Sequence, residues 1–203
     1  MDSERWNDRY TKREWEPERE PNLFLVREFE SRPPGGRTLD LACGEGRNAV
    51  WLASRGWRVT GVDFSAVGLG RAGQLAARRG VHVDWVRADL TRFALRPDSF
   101  ELVVILYLQL PGADRRRALE RAVAAMAKGG ELFMLGHALR NLTEGTGGPQ
   151  DPAVLWEPGE IRRELTALGL AVDHVETVRR PTEEPEGVRS AFDLLLRAHR
   201  PVQ

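Results

Sequence analysis

The fold is decided by one short stretch, Leu39-Asp40-Leu41-Ala42-Cys43-Gly44-Glu45-Gly46. The residues up to Leu41 have the apolar character of a buried strand, and Arg47–Arg55 have the pattern of a helix with an apolar inner side. Gly44 and Gly46 therefore fall in a tight turn between a strand and a helix. Glycine lets the backbone pass close to a ligand, and the N-terminus of the following helix presents free N–H groups. The stretch predicts a ligand-binding turn.

Outward from this turn, strand and helix patterns alternate along the chain. The predicted strands are Arg37–Leu41, Arg58–Asp63, Val81–Val86, Phe100–Leu106, Glu131–Gly136, Ala171–Val178 and Val188–Arg197. Helices are predicted at Arg47–Arg55, Ser65–Arg78, Asp114–Met126 and Pro158–Leu168, and Ser65 is the expected N-cap of the second. Strands separated by helices indicate a parallel sheet with right-handed crossovers. The last two strands are joined by a polar turn with no room for a helix, which predicts an antiparallel hairpin.

The chain before the first strand is expected to form a cap. Trp6 and Tyr10 would share one face of a helix because they are four residues apart. Asn22–Phe29 has the apolar spacing of a short docking helix. We expect residues 1–203 to form one α/β domain, with 1–32 as the cap segment and 37–203 as the core.

The composition excludes several classes of function. With 30 basic and 30 acidic side chains the formal net charge is zero, so there is no basic excess of the kind that nucleic-acid binding requires. The longest apolar run, Leu102–Leu108, is far shorter than the roughly 20 residues of a membrane span. One cysteine, Cys43, fits a reducing compartment, and the histidines lack metal-ligand spacing. We expect a cytoplasmic protein that binds neither nucleic acid, membrane nor metal, as a monomer or homodimer.

Two acidic residues follow the next strands. Asp63 ends the second strand, where it could accept hydrogen bonds from ribose hydroxyls, and Asp89 follows the third, where it could reach an adenine amino group. Gly44, Gly46 and Ala49 also satisfy the G-x-G-x-x-A spacing of a nicotinamide dinucleotide site, and a turn that only packs a helix is a further alternative. Against the dinucleotide, an acid at position 40 interrupts an otherwise apolar strand, and the terminal hairpin is foreign to a dinucleotide fold.

The motifs resemble those of class I S-adenosylmethionine-dependent methyltransferases along essentially the whole chain. The resemblance is carried by the segment 39–49, by Val62-Asp63-Phe64-Ser65, by Ala88-Asp89-Leu90, by Val103–Pro111 and by Lys128-Gly129-Gly130. The Gly-x-Gly-Arg-Asn form of the turn and the N-terminal Trp-x-x-x-Tyr are similar to the tellurite-resistance and thiopurine-methyltransferase-like branch. The resemblance implies a Rossmann-like three-layer sandwich in which strand seven lies between strands five and six.

The resemblance also implies S-adenosylmethionine as cofactor and assigns its contacts. Asp40 and the backbone of Gly44 to Gly46 would hold the methionine moiety, Asp63 the ribose, and Phe64 would pack on the adenine. The other expected cofactor residues are Trp6, Tyr10, Ala42, Asn48, Asp89, Leu90 and Leu106.

The acceptor side has fewer candidates, because a sulfonium is already an activated methyl donor and alignment supplies much of the rate. Tyr107 follows the fourth strand, His137 the fifth and Arg180 the sixth. The leading interpretation is a small acceptor with a soft nucleophile, such as a thiol or a chalcogen oxyanion. The alternatives are O- or N-methylation with His137 as base, and a binding module without turnover. The loop Asn141–Pro152 and the N-terminal segment are expected to close over the site.

Overall fold

The structure, a computed structural model, describes residues 3–184 and 187–202. Its helices are α1 (Ser3–Lys12), α2 (Leu23–Phe29), α3 (Arg47–Ser54), α4 (Ala66–Arg79), α5 (Gly112–Ala125), α6 (Asn141–Glu144) and α7 (Pro158–Ala167). Its strands are β1 (Arg37–Leu41), β2 (Arg58–Asp63), β3 (Asp84–Arg87), β4 (Phe100–Leu106), β5 (Met126–His137), β6 (Ala171–Glu184) and β7 (Gly187–His199). None of the helices in the described ranges is long and apolar enough to cross a bilayer.

The strands form one sheet in the order β3-β2-β1-β4-β5-β7-β6. The strands β1 to β5 are parallel to one another, and β7 runs antiparallel to both β5 and β6. This confirms the expected α/β fold, including the position of β7 between β5 and β6. Because the parallel strands all point the same way, the loops after β1, β2, β4 and β5 meet at one edge of the sheet.

Apolar side chains alternate between the two faces of the sheet and give it two cores. One face packs α5 and α7 through Leu119 and Leu165, and the other packs α2 and α3 through Phe29 and Leu52. The sheet therefore forms the middle layer of three. At α4, Ser65 is the N-cap as expected, since its hydroxyl accepts from the N–H of Gly68 at 3.0 Å.

Two strand starts differ from the sequence prediction. β3 begins at Asp84 rather than Val81, because the Val81 N–H donates back to the Ala76 carbonyl at the end of α4. Gly80 there has a left-handed φ of 64°, which is the geometry of a glycine helix cap. β5 begins at Met126, not Glu131: Phe100 pairs with Met126 and Leu102 pairs with Glu131, so the residues between form a bulge inside the strand.

The C-terminal hairpin is longer than predicted. Its ladder extends from the pair Ala171–His199 to the pair Glu184–Gly187, with one register shift between Val172 and His174. Pro181 lies within β6, where the sequence indicated a turn, and it is tolerated because β6 is an edge strand.

The expectation that the loop after β5 closes over the site is corrected by the structure. The loop folds back onto β7, where Asn141 Oδ1 accepts from the Phe192 N–H (2.8 Å) and the Thr146 N–H donates to the Ser190 carbonyl (3.0 Å). These bonds attach the loop to the hairpin, and none of the residues 141–152 belongs to the lining of the cavity described next.

Candidate active site

A cavity of about 920 Å³ opens at the sheet edge where β1, β2, β4 and β5 end, and the N-terminal segment lies across it. Most of the site residues expected from the sequence line this cavity, namely Trp6, Tyr10, Ala42, Gly44, Asn48, Asp63, Phe64, Leu106, Tyr107, His137 and Arg180. Four others, Asp40, Gly46, Asp89 and Leu90, lie outside its lining.

The turn after β1 has the left-handed backbone that its glycines permit. Gly44 has a φ of 57° and Gly46 a φ of 77°. A Cβ on Gly44 would lie 2.6 Å from Tyr10 Oη, and one on Gly46 would lie 2.7 Å from Ala72 Cβ. Gly44 therefore lets Tyr10 of α1 dock against the turn, whereas Gly46 lets α4 pack against it.

Hydrogen bonds of the Asp63 side chain link this turn to the end of β2. Its Oδ2 accepts from the Gly44 N–H at 2.9 Å, and its Oδ1 accepts from the Ser65 N–H at 2.8 Å. Burial raises the pKa of Asp63, although these backbone hydrogen bonds act in the opposite direction. A carboxylate has about four acceptor positions, so Asp63 retains capacity for a ligand hydroxyl in the cavity.

Asp40 lies beneath the turn, not in it. Its side chain is 1% exposed, and Oδ2 has no hydrogen-bond partner. Burial, followed by the charge of Asp63, raises the pKa of Asp40 from 3.8 to about 7, while a hydrogen bond from the Ala49 backbone lowers it. In this position Asp40 supports the turn and does not face the cavity.

Asp89 and Leu90 occupy the turn after β3. Asp89 Oδ1 accepts from the N–H and the hydroxyl of Thr91, at 2.9 and 2.8 Å. Slight burial acts to raise the pKa of Asp89, but the Thr91 hydrogen bonds and the charge of Arg92 hold it below the ordinary value. Leu90 packs against the core on the α5 side. The structure places these two residues outside the cavity lining described above.

The helix α1 docks over the turn after β1. Tyr10 lies against Gly44, and its ring centroid is 5.6 Å from that of Trp6. On the adjacent turn of α1, Asn7 Oδ1 accepts from the Ser65 hydroxyl at 2.6 Å. An ion pair between Arg13 and Glu45 fixes the end of the helix. These contacts hold the N-terminal segment across the cavity.

A second link joins the N-terminal segment to α3. The Asn22 N–H donates to Asn48 Oδ1 at 2.9 Å, and Asn22 Oδ1 caps α2 by accepting from the Phe24 N–H at 2.9 Å. The Asn22 amide also lies 3.5 Å from Tyr107 Oη. Asn22 therefore connects the cap to both sides of the cavity.

Asp193 on β7 joins the three residues expected on the acceptor side. Its side chain is fully buried, and its Oδ2 accepts from Tyr107 Oη at 2.8 Å and from Arg180 Nε at 2.7 Å. Its Oδ1 lies 3.2 Å from His137 Nδ1. Burial acts to raise the pKa of Asp193, but the hydrogen bonds from these partners hold it below the ordinary value.

This arrangement orients the ring of His137. An ionised carboxylate can only accept, so the His137 ring presents Nδ1–H to Asp193 and its Nε2 is the nitrogen not bonded to Asp193. The ring centroids of Tyr107 and His137 are 4.8 Å apart. Burial, followed by the charge of Asp193, raises the pKa of Tyr107, so its phenol stays protonated. The phenol and the imidazole thus lie side by side on one wall of the cavity, both bonded to Asp193.

The backbone around His137 is held by Trp156. The backbone N–H of Trp156 donates to the His137 carbonyl at 2.9 Å. The indole of Trp156 covers Gly136, where a Cβ would lie 2.6 Å from the ring. Trp156 itself is fully buried. His137 is therefore placed by a packed segment and not by a free loop.

Sequence reasoning missed Asp193 and Asn22. The signal for Asp193 was one acid inside the apolar run from Ala191 to Leu196, but its partner depends on strand register: β5 and β7 place His137 opposite Asp193. Among the described residues, no group of histidine, cysteine, aspartate and glutamate has an arrangement that could hold a metal ion.

Residues 38–130 match the family described as "Methyltransferase domain". The chain is 32% identical over 100 residues to a demethylmenaquinone methyltransferase from Clavibacter sepedonicus, covering 49% of this chain and 40% of that protein. It is 30% identical over 126 residues to ribosomal RNA small subunit methyltransferase C from Alcanivorax borkumensis, covering 57% of this chain and 37% of that protein. The chain therefore spans less than half the length of these curated relatives.

Solved structures match nearly the whole chain. An S-adenosylmethionine-dependent methyltransferase from Mesorhizobium loti has a TM-score of 0.68 at 24% identity, covering 87% of this chain and 96% of that one. A structure described as "Conversion of a Disulfide Bond into a Thioacetal Group during Echinomycin Biosynthesis" has a TM-score of 0.83 at 20% identity, covering 99% and 93%. The magnesium protoporphyrin IX methyltransferase of Synechocystis, solved with bound S-adenosylhomocysteine, has a TM-score of 0.67 at 18% identity, covering 98% and 82%. At these identities the likeness establishes the fold.

Proposed function

We propose that this chain is an enzyme that transfers the methyl group of S-adenosylmethionine to a small molecule. The observation that carries the proposal is the two-sided cavity: the Gly44 turn and Asp63 form one wall, and Tyr107, His137 and Arg180 form the other. The match of residues 38–130 to a methyltransferase domain supports the donor, and the N-terminal segment across the opening favours a small acceptor.

The residues of the donor wall fit the cofactor. Gly44 lines the cavity without a side chain of its own, so a ligand can approach the backbone of the turn. Asp63 offers a carboxylate to the ribose hydroxyls, and Phe64 offers a ring beside it for the adenine. The cavity volume lies within the range of ordinary small-molecule sites, roughly 300–1,000 Å³. When bound, S-adenosylmethionine supplies an electrophilic methyl group.

On the acceptor wall, His137 acts as the base. Because Asp193 accepts the Nδ1 proton, Nε2 of His137 can remove a proton from a hydroxyl or amine of the acceptor as the methyl group is transferred. Asp193 also stabilises the imidazolium that results. The Tyr107 hydroxyl is bonded to the same carboxylate, which fixes its ring beside the histidine. Methylation at oxygen or nitrogen is the function that this geometry supports best.

A soft acceptor is the second candidate. The rings of Tyr107 and His137 form an aromatic wall, and polarisable sulfur makes favourable contacts with aromatic edges. A thiolate or a chalcogen oxyanion has no proton to lose, so it would not need His137 as a base. Methylation at oxygen or nitrogen therefore requires His137, whereas methylation of a thiolate or a chalcogen oxyanion does not.

Binding of S-adenosylhomocysteine, measured by isothermal titration calorimetry, tests the donor. Wild type should bind, and Asp63→Ala should bind about 5- to 100-fold more weakly, as expected from the loss of a charged hydrogen-bond partner. Tight binding of NAD in place of S-adenosylhomocysteine would refute the proposal.

Turnover is tested with a panel of phenols, quinols, amines, thiols, selenite and tellurite, scored by formation of S-adenosylhomocysteine. His137→Gln should abolish methylation of hydroxyl and amine acceptors. The control is His174→Gln, because His174 is half-exposed and lies outside the cavity. Retained activity in His137→Gln on thiols or oxyanions would favour the second candidate. Binding of the cofactor without turnover of any acceptor would indicate a binding module.

A further inference from the structure

Two arginines lie in the cavity beside Tyr107, and they come from different elements. Arg180 on β6 is held through its Nε by Asp193, and its guanidinium carbon lies 5.8 Å from the centroid of the Tyr107 ring. Arg180 also shares a hydrogen bond with Tyr107, and because a guanidinium has five N–H donors, it retains further donors beyond these two contacts. Arg47 opens α3, and its Nη1 donates to the Glu20 carbonyl at 2.9 Å. The two guanidiniums therefore supply donors to one space.

The charge of this region is not balanced. Within the described part of the chain, no carboxylate lies within ion-pair distance of Arg47, and Asp193 is shared between Arg180, Tyr107 and His137. Burial, followed by the charge of Arg19, acts to lower the pKa of Arg47, which falls to about 10. Of the acidic side chains that line the cavity, Glu45 is paired with Arg13 of the N-terminal segment and with Arg71 of α4, and Asp63 is bonded to backbone. Glu16 and Glu20 are exposed on the N-terminal segment.

We infer that the methyl acceptor is an anion, and that its carboxylate or oxyanion binds at Arg180 and Arg47 beside Tyr107. This inference rests on the proposed function and names the substrate class for it. Arginine presents a planar fork of donors that matches a carboxylate, and Asp193 orients the Arg180 fork in the way that a buried acid orients a binding residue. Asp193 is thus a positioning residue for both His137 and Arg180. It would hold the anionic group of the acceptor next to the base.

The same chemistry could come from the cofactor, whose methionine tail carries a carboxylate. The first experiment separates these two sources by titrating S-adenosylhomocysteine into wild type, Arg180→Met and Arg47→Met. Arg179→Met is the matched control, because it removes the same charge from the adjacent, exposed residue of β6. If the acceptor supplies the anion, all four proteins bind S-adenosylhomocysteine within about threefold of each other. A tenfold or greater loss in Arg180→Met would assign the site to the cofactor and overturn the inference.

The second experiment uses inorganic phosphate as the probe, titrated into each protein saturated with S-adenosylhomocysteine. Wild type and Arg179→Met should bind phosphate equally, whereas Arg180→Met and Arg47→Met should bind it at least tenfold more weakly. Arg47→Met keeps the test decisive if Arg180→Met folds poorly, since no carboxylate in the described residues pairs with Arg47. Equal phosphate binding by all four proteins, or none by wild type, would overturn the inference. Failure of wild type to bind S-adenosylhomocysteine would instead refute the proposed function.

Discussion

Replacing Asp40 by asparagine should change how the stability of this protein depends on pH. The carboxyl of Asp40 is buried, has one oxygen without a partner, and has a pKa raised from 3.8 to about 7. In the unfolded chain it ionises near pH 4, whereas in the folded chain it keeps its proton until about pH 7. Between these values the folded state binds the extra proton, so the free energy of unfolding falls as pH rises. A difference of about three pKa units corresponds to ~4 kcal/mol.

Urea denaturation of wild type and Asp40→Asn at several pH values from 4 to 8 measures this effect. Asparagine carries no titratable proton, so the stability of the variant relative to wild type should improve by ~4 kcal/mol across this range, with most of the change complete by pH 7. Thr38→Val is the control, since it removes a buried polar atom without a partner on the same strand but no ionisable group. A stability difference between Asp40→Asn and wild type that stays constant from pH 4 to pH 8 would refute the reasoning.

Three further substitutions test contacts of the site. Gly44→Ala, with its left-handed φ and a Cβ 2.6 Å from Tyr10 Oη, should release α1 and speed limited trypsin cleavage there; an unchanged cleavage rate would contradict the docking. Gly136→Ala should destabilise by ~2 kcal/mol through overpacking against Trp156, seen as a fall in Tm of roughly 4–8 °C, and Trp156→Leu should relieve it. Asp193→Ala should cost about 3–5 kcal/mol in urea denaturation because it leaves buried donors without their carboxylate; a loss below ~1 kcal/mol would show that they do not depend on it.

The central strands were predictable because their signals are local. β1, β2 and β4 have the predicted bounds, since each is a short apolar run between glycine, proline or polar residues. β3 and β5 begin elsewhere because their ends depend on hydrogen bonds to other elements. The Val81 N–H bonds to the C-terminal end of α4, so Val81 does not join β3. Met126 pairs with Phe100, and the bulge after this pair contains Gly129 and Gly130, which in the sequence indicate a turn.

The site also has a part that was predictable from the sequence and a part that was not. Most expected residues of the donor wall line the cavity because they follow parallel strands, whose carboxyl ends must meet at one edge. The acceptor wall depends instead on the antiparallel register of β5 and β7, which pairs His137 with Asp193 across 56 residues of sequence. A shift of one residue would turn Asp193 to the other face of the sheet, so the sequence alone could not reveal the partner of His137.

The C-terminal hairpin projects past the parallel strands, and its projecting part carries residues of the acceptor wall. Beyond Asp193, β7 pairs only with β6, and the six register pairs from Arg179–Phe192 to Glu184–Gly187 extend roughly 20 Å past the last partner on β5. Arg180 and Pro181, which line the cavity, belong to this projecting part. The parallel strands that carry the donor wall make no pairing with it. Changes at Arg180 and Pro181 therefore alter the cavity wall without removing any pairing of the parallel strands, so a new acceptor preference can arise from this one stretch of β6.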